Sequence, residues 1–570
     1  MEFQTVKTDV LILGSGGAGL FAALHASKAN PELDVTIAIK GLLGKCGCTR
    51  MVQGGYNVAL SPGDSVERHF MDTINGGKWL PDQDMALRLC QTAVTRVQEL
   101  ENELGCFFDR NDDGSLHHKA FAGQTFDRTV HKGDLTGIEI ISRLMEQVRA
   151  LPVNLMEEHR ALALLPSRDG DAIAGVLMVD MRSGEFRVVQ AKTVLMATGG
   201  GPTMYRYHTP SGDKSMDGLA MALRLGLGLR DMEMVQFHPT GLLAGLDTRM
   251  TGTVLEEGLR GAGGYLLDGD ERRFMQDYDA DGERATRDIV SRAIYAEMRA
   301  GRTTPNGGVY IAMSHLGPEL VAQKFPGMVK RCADCGFDLA AGRVEVVPTA
   351  HYFMGGVVVT PDTRTSMPGL FVAGEDAGGA HGANRLGGNG VANSTVFGGI
   401  AGDEMAVQAG LQKHWIDPDA GIIETAVEQA MAPFQQPAGD INALRDRLLD
   451  LMWAGVGVLR DANGITQAQT ELASLKAELQ TTGLSDDNRV FNLSWHDWLN
   501  LHSLIEVSEV IAAAALSREN SRGAHYREDF PQVGSLEESY FTIACRDRDE
   551  VKVERQAVDF SIVKPGESLI

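Results

Sequence analysis

Residues 8–19 read Thr-Asp-Val-Leu-Ile-Leu-Gly-Ser-Gly-Gly-Ala-Gly. A short apolar run ends abruptly in glycines, and the small-residue stretch Leu20 to Lys28 that follows has helical character. Val35 to Ile39 reads as the next strand. Strand, glycine turn, helix and strand in that order make a dinucleotide-binding unit. Gly14 forms the tight turn, Gly16 lets backbone N–H groups reach a pyrophosphate, and Gly19 permits close helix packing. The helix N-terminus, at Gly17 and Ala18, then faces the negative charge. An acidic residue ~20 positions further on normally holds a ribose. Here Asp34 precedes the second strand and Lys40 follows it, so the ribose contact stays unassigned.

Working outward, two more apolar runs end in glycine: Thr193-Val194-Leu195-Met196-Ala197-Thr198-Gly199-Gly200 and Gly369-Leu370-Phe371-Val372-Ala373-Gly374-Glu375-Asp376. Returns this far apart predict a flavin-binding domain interrupted by a long insertion. They favour FAD over NAD, because a discontinuous site is wasteful for a cofactor that comes and goes. Beyond Ala438 the texture is helical. Ile465, Ala468, Leu472, Leu475 and Leu479 form one apolar stripe, Leu444, Leu448 and Met452 another, and Trp498 to Ser517 a third segment. Tyr540 to Cys545 and Val551 to Val563 alternate around Arg546-Asp547-Arg548-Asp549, which predicts a hairpin. The expected fold class is α/β. A Rossmann-like FAD-binding domain (1–244 and 351–412) is interrupted by an α+β capping domain (245–350), then followed by a helical domain (413–535) and a short β tail (536–570).

Composition narrows the partners. At ~100–200 residues per domain, 570 residues mean several structural units, and 43% apolar with 23% charged residues excludes whole-chain disorder. A net charge of -23 repels a phosphate backbone, so nucleic acid is not an expected partner. The 66 glycines exceed the usual ~7%, as expected where backbone approaches a nucleotide cofactor closely. Seven scattered cysteines without a disulfide rhythm suit a reducing, cytoplasmic compartment. The polar stretch Met1 to Asp9 does not read as a signal peptide, and none is expected there. The longest later apolar run, Val510 to Leu516, falls far short of the ~18–20 residues of a membrane span. Membrane association is therefore expected only through a partner.

Several motifs together resemble the flavoprotein subunits of succinate dehydrogenase and fumarate reductase, with L-aspartate oxidase as a close relative. They are Val52-Gln53-Gly54-Gly55, Asn75-Gly76-Gly77-Lys78-Trp79-Leu80, Leu229-Arg230-Asp231-Met232-Glu233, Gln236-Phe237-His238-Pro239-Thr240-Gly241, Thr349-Ala350-His351-Tyr352, His381-Gly382-Ala383-Asn384-Arg385-Leu386 and Ser521-Arg522-Gly523-Ala524-His525. The resemblance covers nearly the whole chain and implies hydride exchange between a flavin and a C4-dicarboxylate. It implies that His238, His351 and Arg385 bind carboxylates, Arg385 as a bidentate clamp. It makes Arg287 the proton donor or acceptor, with Glu257 and Arg260 as the relay that reprotonates it. Cofactor contacts are expected from Gly14, Gly16, Gly17, Ala18, Gly19, Lys40, Cys48, Thr49, Gln53, Gly54, Gly55, Ala197, Thr198, Gly199, Asp217, Glu375, Asn389 and Val391. No metal site is expected.

Three departures from that family pattern matter. Cys48 stands where succinate dehydrogenases carry the flavin-bonded histidine, so the FAD is expected to be noncovalent. Glu256 stands where the family has a threonine that donates to a substrate carboxylate. At ~4 Å an ionised glutamate would cost up to ~4 kcal/mol, which puts plain fumarate in question and favours a substrate bearing an amine or other donor. Phe121 stands where the oxidase branch has a glutamate, and agrees with the succinate/fumarate branch. Cys332-Ala333-Asp334-Cys335 is a lone CxxC, and the chain has no iron–sulfur frame. Electrons must therefore pass to a separate iron–sulfur or other electron-transfer partner, or to oxygen. The alternatives to a fumarate/succinate enzyme are an amino-dicarboxylate oxidase, and an electron-transfer subunit without its own turnover.

Overall fold

The structure, a computed structural model, describes residues 3–245, 248–548 and 550–570. Strand Gln4–Leu13 lies at its centre, pairing in parallel with Val35–Ile39 on one side and Phe186–Met196 on the other. Val153–Glu157 extends the parallel set beyond Val35–Ile39. Leu370–Val372 returns after the insertion to pair in parallel with the last residues of Phe186–Met196, beside antiparallel Ile173–Asp180. Both faces of this seven-stranded sheet are covered, so the strand residues Val10 to Leu13 are buried without alternation. Helices Gly17–Ala29 and Asn389–Leu411 pack tightly through small residues. A Cβ on Gly398 or Gly402 would meet the carbonyl oxygen of Ala18 or Ala22 at 2.4 Å.

The insertion carries its own sheet and its own core, from Leu242 to Val346. Its sheet order is Val235–Leu242, Arg343–Phe353, Val309–Ala312, Tyr265–Leu267, all antiparallel. The entry and exit strands pair with each other, so the cap sheet begins at Val235, ahead of the expected boundary at 245. Leu246 and Asp247 lie outside the described residues.

The stripes expected in the helical domain are buried on helices Ile441–Gly455 and Ala462–Gln480. The third helix is longer than expected. Leu493–Ser517 spans 25 residues and is long and apolar enough to cross a membrane, but 72% of that window is buried inside the fold. The expected segment Trp498 to Ser517 lies on this helix, which begins five residues earlier, and the uninterrupted run Val510 to Leu516 understated its apolar length. In the tail, Tyr540–Asp547 pairs with Glu550–Ala557 and with Leu229–Arg230. The second strand stops at Ala557, short of Val563, because the chain turns to Gln83, whose Oε1 accepts from the Ile562 and Val563 N–H groups. Asp549, in the expected turn, lies outside the described residues. All seven cysteines are free thiols.

Candidate active site

The C-terminal ends of four parallel strands converge at Gly14, Lys40, Ala197 and Ala373, where open parallel sheets bind ligands. A cavity of about 920 Å³ opens there and extends to the seam with the cap. Gly14 has φ +106°, and a Cβ on it would stand 2.3 Å from the Ala197 carbonyl oxygen. A Cβ on Gly19 would stand 2.0 Å from the Gly14 carbonyl, so Gly19 serves packing and does not line the cavity. Gly16 differs: its nearest neighbour to a Cβ would be Thr49 Oγ1 at 3.6 Å, leaving open space in front of it. Thr49 Oγ1 accepts from the Gly17 N–H at 3.1 Å. Ser15 Oγ is buried in this turn without a hydrogen-bond partner, a state that costs about 1–3 kcal/mol unless a ligand completes the bond. Open backbone, an orphaned hydroxyl and a helix N-terminus fit a pyrophosphate.

The rest of the cofactor end is polar and largely pre-paired. Lys40 Nζ donates to Ser215 Oγ, Asp217 Oδ2 and Asn500 Oδ1 at 2.7–3.0 Å, and burial lowers the ammonium to about 8. Asp217 also accepts from Arg160 at 2.7 Å; although burial pushes its carboxyl up, Arg160 and Lys40 hold it well below the usual range. Thr198 lines the cavity, but its hydroxyl is committed to Asp376. Glu375 is half-buried in the cavity wall, and desolvation there pushes its carboxyl up to about 7. Burial, followed by the nearby Glu375, pushes the Cys48 thiol up to about 12. Gln53, Gly54, Gly55, Gly199 and Val391 line the same cavity. Asn389 does not reach it. Its amide is taken by His69, Asn57 and Thr73, because Asn389 opens a helix whose first turn points into the body.

At the cap end, strand Val235–Leu242 supplies Gln236 and His238, and Arg343–Phe353 supplies His351 and Tyr352. Gln236 pairs with Tyr352 and Phe237 with Ala350, leaving His351 as the extra residue of a β-bulge, a device that re-aims a side chain. The two histidine rings lie 5.4 Å apart, centroid to centroid. The Thr240 N–H donates to His238 Nδ1 at 3.3 Å, so the neutral ring carries its proton on Nε2. Thr209 Oγ1 pairs with His351 Nδ1 at 2.9 Å. Burial, and then Arg287, hold both imidazoles far below their ordinary pKa, and thus neutral.

Arg287 is the first residue of helix Arg287–Arg299. Its Nε and Nη2 donate to Glu257 Oε2 at 2.9 and 2.7 Å, and its Nη1 to Gln236 Oε1 at 3.2 Å. Arg385 Nη2 donates to the same Gln236 oxygen at 3.2 Å, and Tyr352 supports the Arg385 guanidinium from 4.3 Å. The Gln236 amide nitrogen donates to Asn384 Oδ1 and the Arg385 carbonyl. Arg260 Nη2 reaches Glu257 Oε1 at 3.4 Å while its Nη1 donates to the Glu283 carbonyl; Arg260 does not line the cavity. Burial pushes the Glu257 carboxyl up, but Arg287 and Arg260 outweigh it and keep it below the usual range. Phe121 lies over Gly54 and Gly387.

Consecutive carboxylates face different surroundings. Glu257 meets Arg287 and Arg260, whereas Glu256, also cavity-lining, is raised by burial and has Lys119, Asp134 and Arg331 as its charged neighbours. The sequence reading missed Gln236 as a site residue, together with Tyr352 and Asp376. The first two stood inside the quoted motifs, but nothing in their spacing said that they would brace the arginines.

A sequence model described as the FAD binding domain matches residues 9–391, and one described as the fumarate reductase flavoprotein C-term matches residues 445–569. The chain belongs to the succinate dehydrogenase/fumarate reductase flavoprotein family. It is an FAD-dependent oxidoreductase of that type. It is 38% identical over 540 residues to one subunit of the CoM/CoB fumarate reductase of Methanothermobacter marburgensis, covering 94% of this chain and 96% of that one. The fumarate reductase flavoprotein subunit of Escherichia coli is 33% identical, covering 98% of this chain and 92% of that one. Among solved structures, the FrdA chain of E. coli quinol fumarate reductase superposes with a TM-score of 0.93 at 32% identity, covering 99% of both chains. Mycobacterium smegmatis Sdh1 gives 0.88 at 34%, covering 98% and 95%. Among the described residues of this family member, no cluster of His, Cys, Asp or Glu could hold a metal ion.

Proposed function

We propose that the protein reduces fumarate, or a closely similar C4-dicarboxylate, with electrons received from an iron–sulfur or other electron-transfer partner, and that its FAD is noncovalent. The observation that carries the reading is the joining of Arg287 and Arg385 through one Gln236 oxygen, with two neutral histidines across from them. The Gly14–Ala18 turn, with Gln53, Gly54 and Gly55, would hold FAD, whose chemistry when bound would be hydride supply to one alkene carbon.

Arg385 grips one substrate carboxylate; its Nε is buried without a partner and is free to donate. His238 and His351 hold the other, donating from neutral rings that leave the guanidinium charge to dominate. Arg287 gives a proton from Nη2 to the second alkene carbon. That step asks an unusual acidity of an arginine. Burial, and then the Arg287 charge, lower the neighbouring Arg385 to about 10. The ionised Glu257 carboxylate restores that proton by taking one at Oε1 from Arg260 and, on turning, handing the same proton to Arg287. The amino-dicarboxylate alternative depends on Glu256 reaching the substrate; the charges acting on Glu256 are Lys119, Asp134 and Arg331 and do not include Arg287 or Arg385, which favours the fumarate reading. The noncovalent assignment rests on the Cys48 thiol, which burial keeps protonated and unreactive.

The test is anaerobic fumarate reduction by the FAD-loaded chain with a reduced viologen dye, with succinate read by NMR. Succinate at enzymatic rates is expected. Fully loaded enzyme that forms none would leave only the electron-transfer reading.

A further inference from the structure

Helix Pro326–Ala333 is the part of the cap that meets the body at the cavity mouth. Two contacts define the meeting. Gly327 faces Asp134 of the body so closely that a Cβ would stand 2.1 Å from Asp134 Oδ2 and 3.1 Å from its Cγ. The carboxylate thus lies against the first turn of the cap helix, where exposed N–H groups favour an anion. Arg331, one turn further on, donates through Nη1 to the Val254 carbonyl at 2.9 Å. Its Nη2 lies 3.0 Å from the Gln53 amide oxygen once that amide is turned oxygen-first, the only orientation that pairs both groups. Gln53 belongs to the loop that continues into Gly54 and Gly55 along the floor of the cofactor cavity. Glu256 stands beside this helix, close to Phe325 and to Arg331, with Lys119 and Asp134 opposite on the body.

We propose that Gly327 and Arg331 are positioning residues that seat the cap on the loops carrying Asp134 and Gln53, holding the mouth shut while Arg287 and Arg385 face the substrate. The inference rests on the function proposed above only for its effect on turnover; the closure itself is independent of the substrate. Glycine at 327 lets the Asp134 carboxylate lie against the helix, and a side chain there would push that carboxylate aside. Arginine is required because one planar group must reach the Val254 carbonyl and the Gln53 amide together.

The test compares Arg331→Gln, Arg331→Lys, Gly327→Ala, Asp134→Ala and the Gly327→Ala/Asp134→Ala double variant, each FAD-loaded. Hydrogen exchange by mass spectrometry reads peptides spanning 50–56, 250–263 and 324–335. Arg331→Gln and Gly327→Ala should raise exchange in those peptides roughly tenfold, as a local opening would, with the helical domain unchanged. Arg331→Lys should recover part of the protection. The double variant should match Asp134→Ala alone, because the clash partner is gone. Fumarate kcat should fall roughly tenfold in the two opened variants, with KM less affected, because closure orders groups already in place. Reduced flavin should also lose electrons to oxygen faster. Wild-type exchange in Arg331→Gln, or equal opening in Gly327→Ala with and without Asp134, would overturn the proposal. If Gly327→Ala fails to fold, the two Arg331 variants decide. Opened peptides in an enzyme that never turns over fumarate would keep the seat and remove the fumarate reading.

Discussion

At the sheet end of the cavity the turn from Gly14 to Ala18 presents backbone N–H groups and short side chains, beside side chains such as Lys40 and Asp217 that are already paired with one another. At the cap end they are long side chains drawn from separate segments around Gln236, Glu257, Arg287, His351 and Arg385. Backbone is fixed once the strand and helix form, so the first end needs little else. Guanidinium groups must be aimed, and three buried arginines would repel one another without Glu257 and Gln236 between them. The cofactor end is therefore expected to tolerate side-chain changes that the cap end does not, and its own weak points are glycines.

The largest expected effect tests that asymmetry directly. Arg287→Ala and Arg287→Lys should each lower kcat for fumarate by up to ~10⁴-fold, the upper range for losing a proton donor, while the visible flavin spectrum keeps its full amplitude. A lysine variant with near-normal turnover would make Arg287 structural and the two ends alike. Gln236→Leu keeps volume but removes the shared acceptor; misaimed guanidiniums should cost roughly 10²-fold in kcat. Near-normal kcat there would show that the arginines aim themselves. Acid precipitation should release all FAD to the supernatant, and flavin mass on a Cys48 peptide would refute noncovalent binding. Glu256→Thr should change fumarate kcat/KM by less than about threefold, because the charges that act on Glu256 are those of Lys119, Asp134 and Arg331, not those of Arg287 and Arg385. A rise of several hundredfold would put Glu256 back at the substrate.

The smallest effect concerns stability. The Glu375 carboxyl has a folded pKa of about 7 against an ordinary 4.5, so folding takes up a proton between those values. Stability of the FAD-free protein should fall as pH rises from about 4.5 to about 7, and Glu375→Gln should remove that fall. Parallel thermal unfolding curves for both proteins across that range would contradict the assigned environment.

The same asymmetry explains what the sequence disclosed. Gly14, Gly16 and Gly19 were readable from spacing alone, because each answers a local backbone demand within one turn. The sheet, the interrupted domain and the stripes at Ile465 to Leu479 were readable for the same reason. His238, Arg287 and Arg385 were reachable only through the family resemblance, since no periodicity links residues so far apart. Asn389 was misplaced because helix phase at Gly388 turned its side chain inward. Glu256 was placed opposite the substrate by a family motif alone; it lines the cavity, with Lys119, Asp134 and Arg331 as its charged neighbours, which no motif could have told. The CxxC pair, Cys332 buried and Cys335 part-exposed, has raised pKa values on both thiols, with burial first among the causes, and neither enters the site.

Helix Leu493–Ser517 also has a consequence for how the chain is made. A ribosome-bound chain exposes that segment before the partners that cover it have closed, and by hydropathy it would suit a lipid bilayer as well as a protein interior. Its seat includes Arg160, which donates to the His496 carbonyl and to Asn500, and Arg224, which pairs with Glu506. Variants that weaken the Arg224–Glu506 anchor, which lies outside the cavity lining, should fail first in biogenesis, appearing as chaperone-held or membrane-pelleted chains while the surviving folded fraction keeps normal turnover.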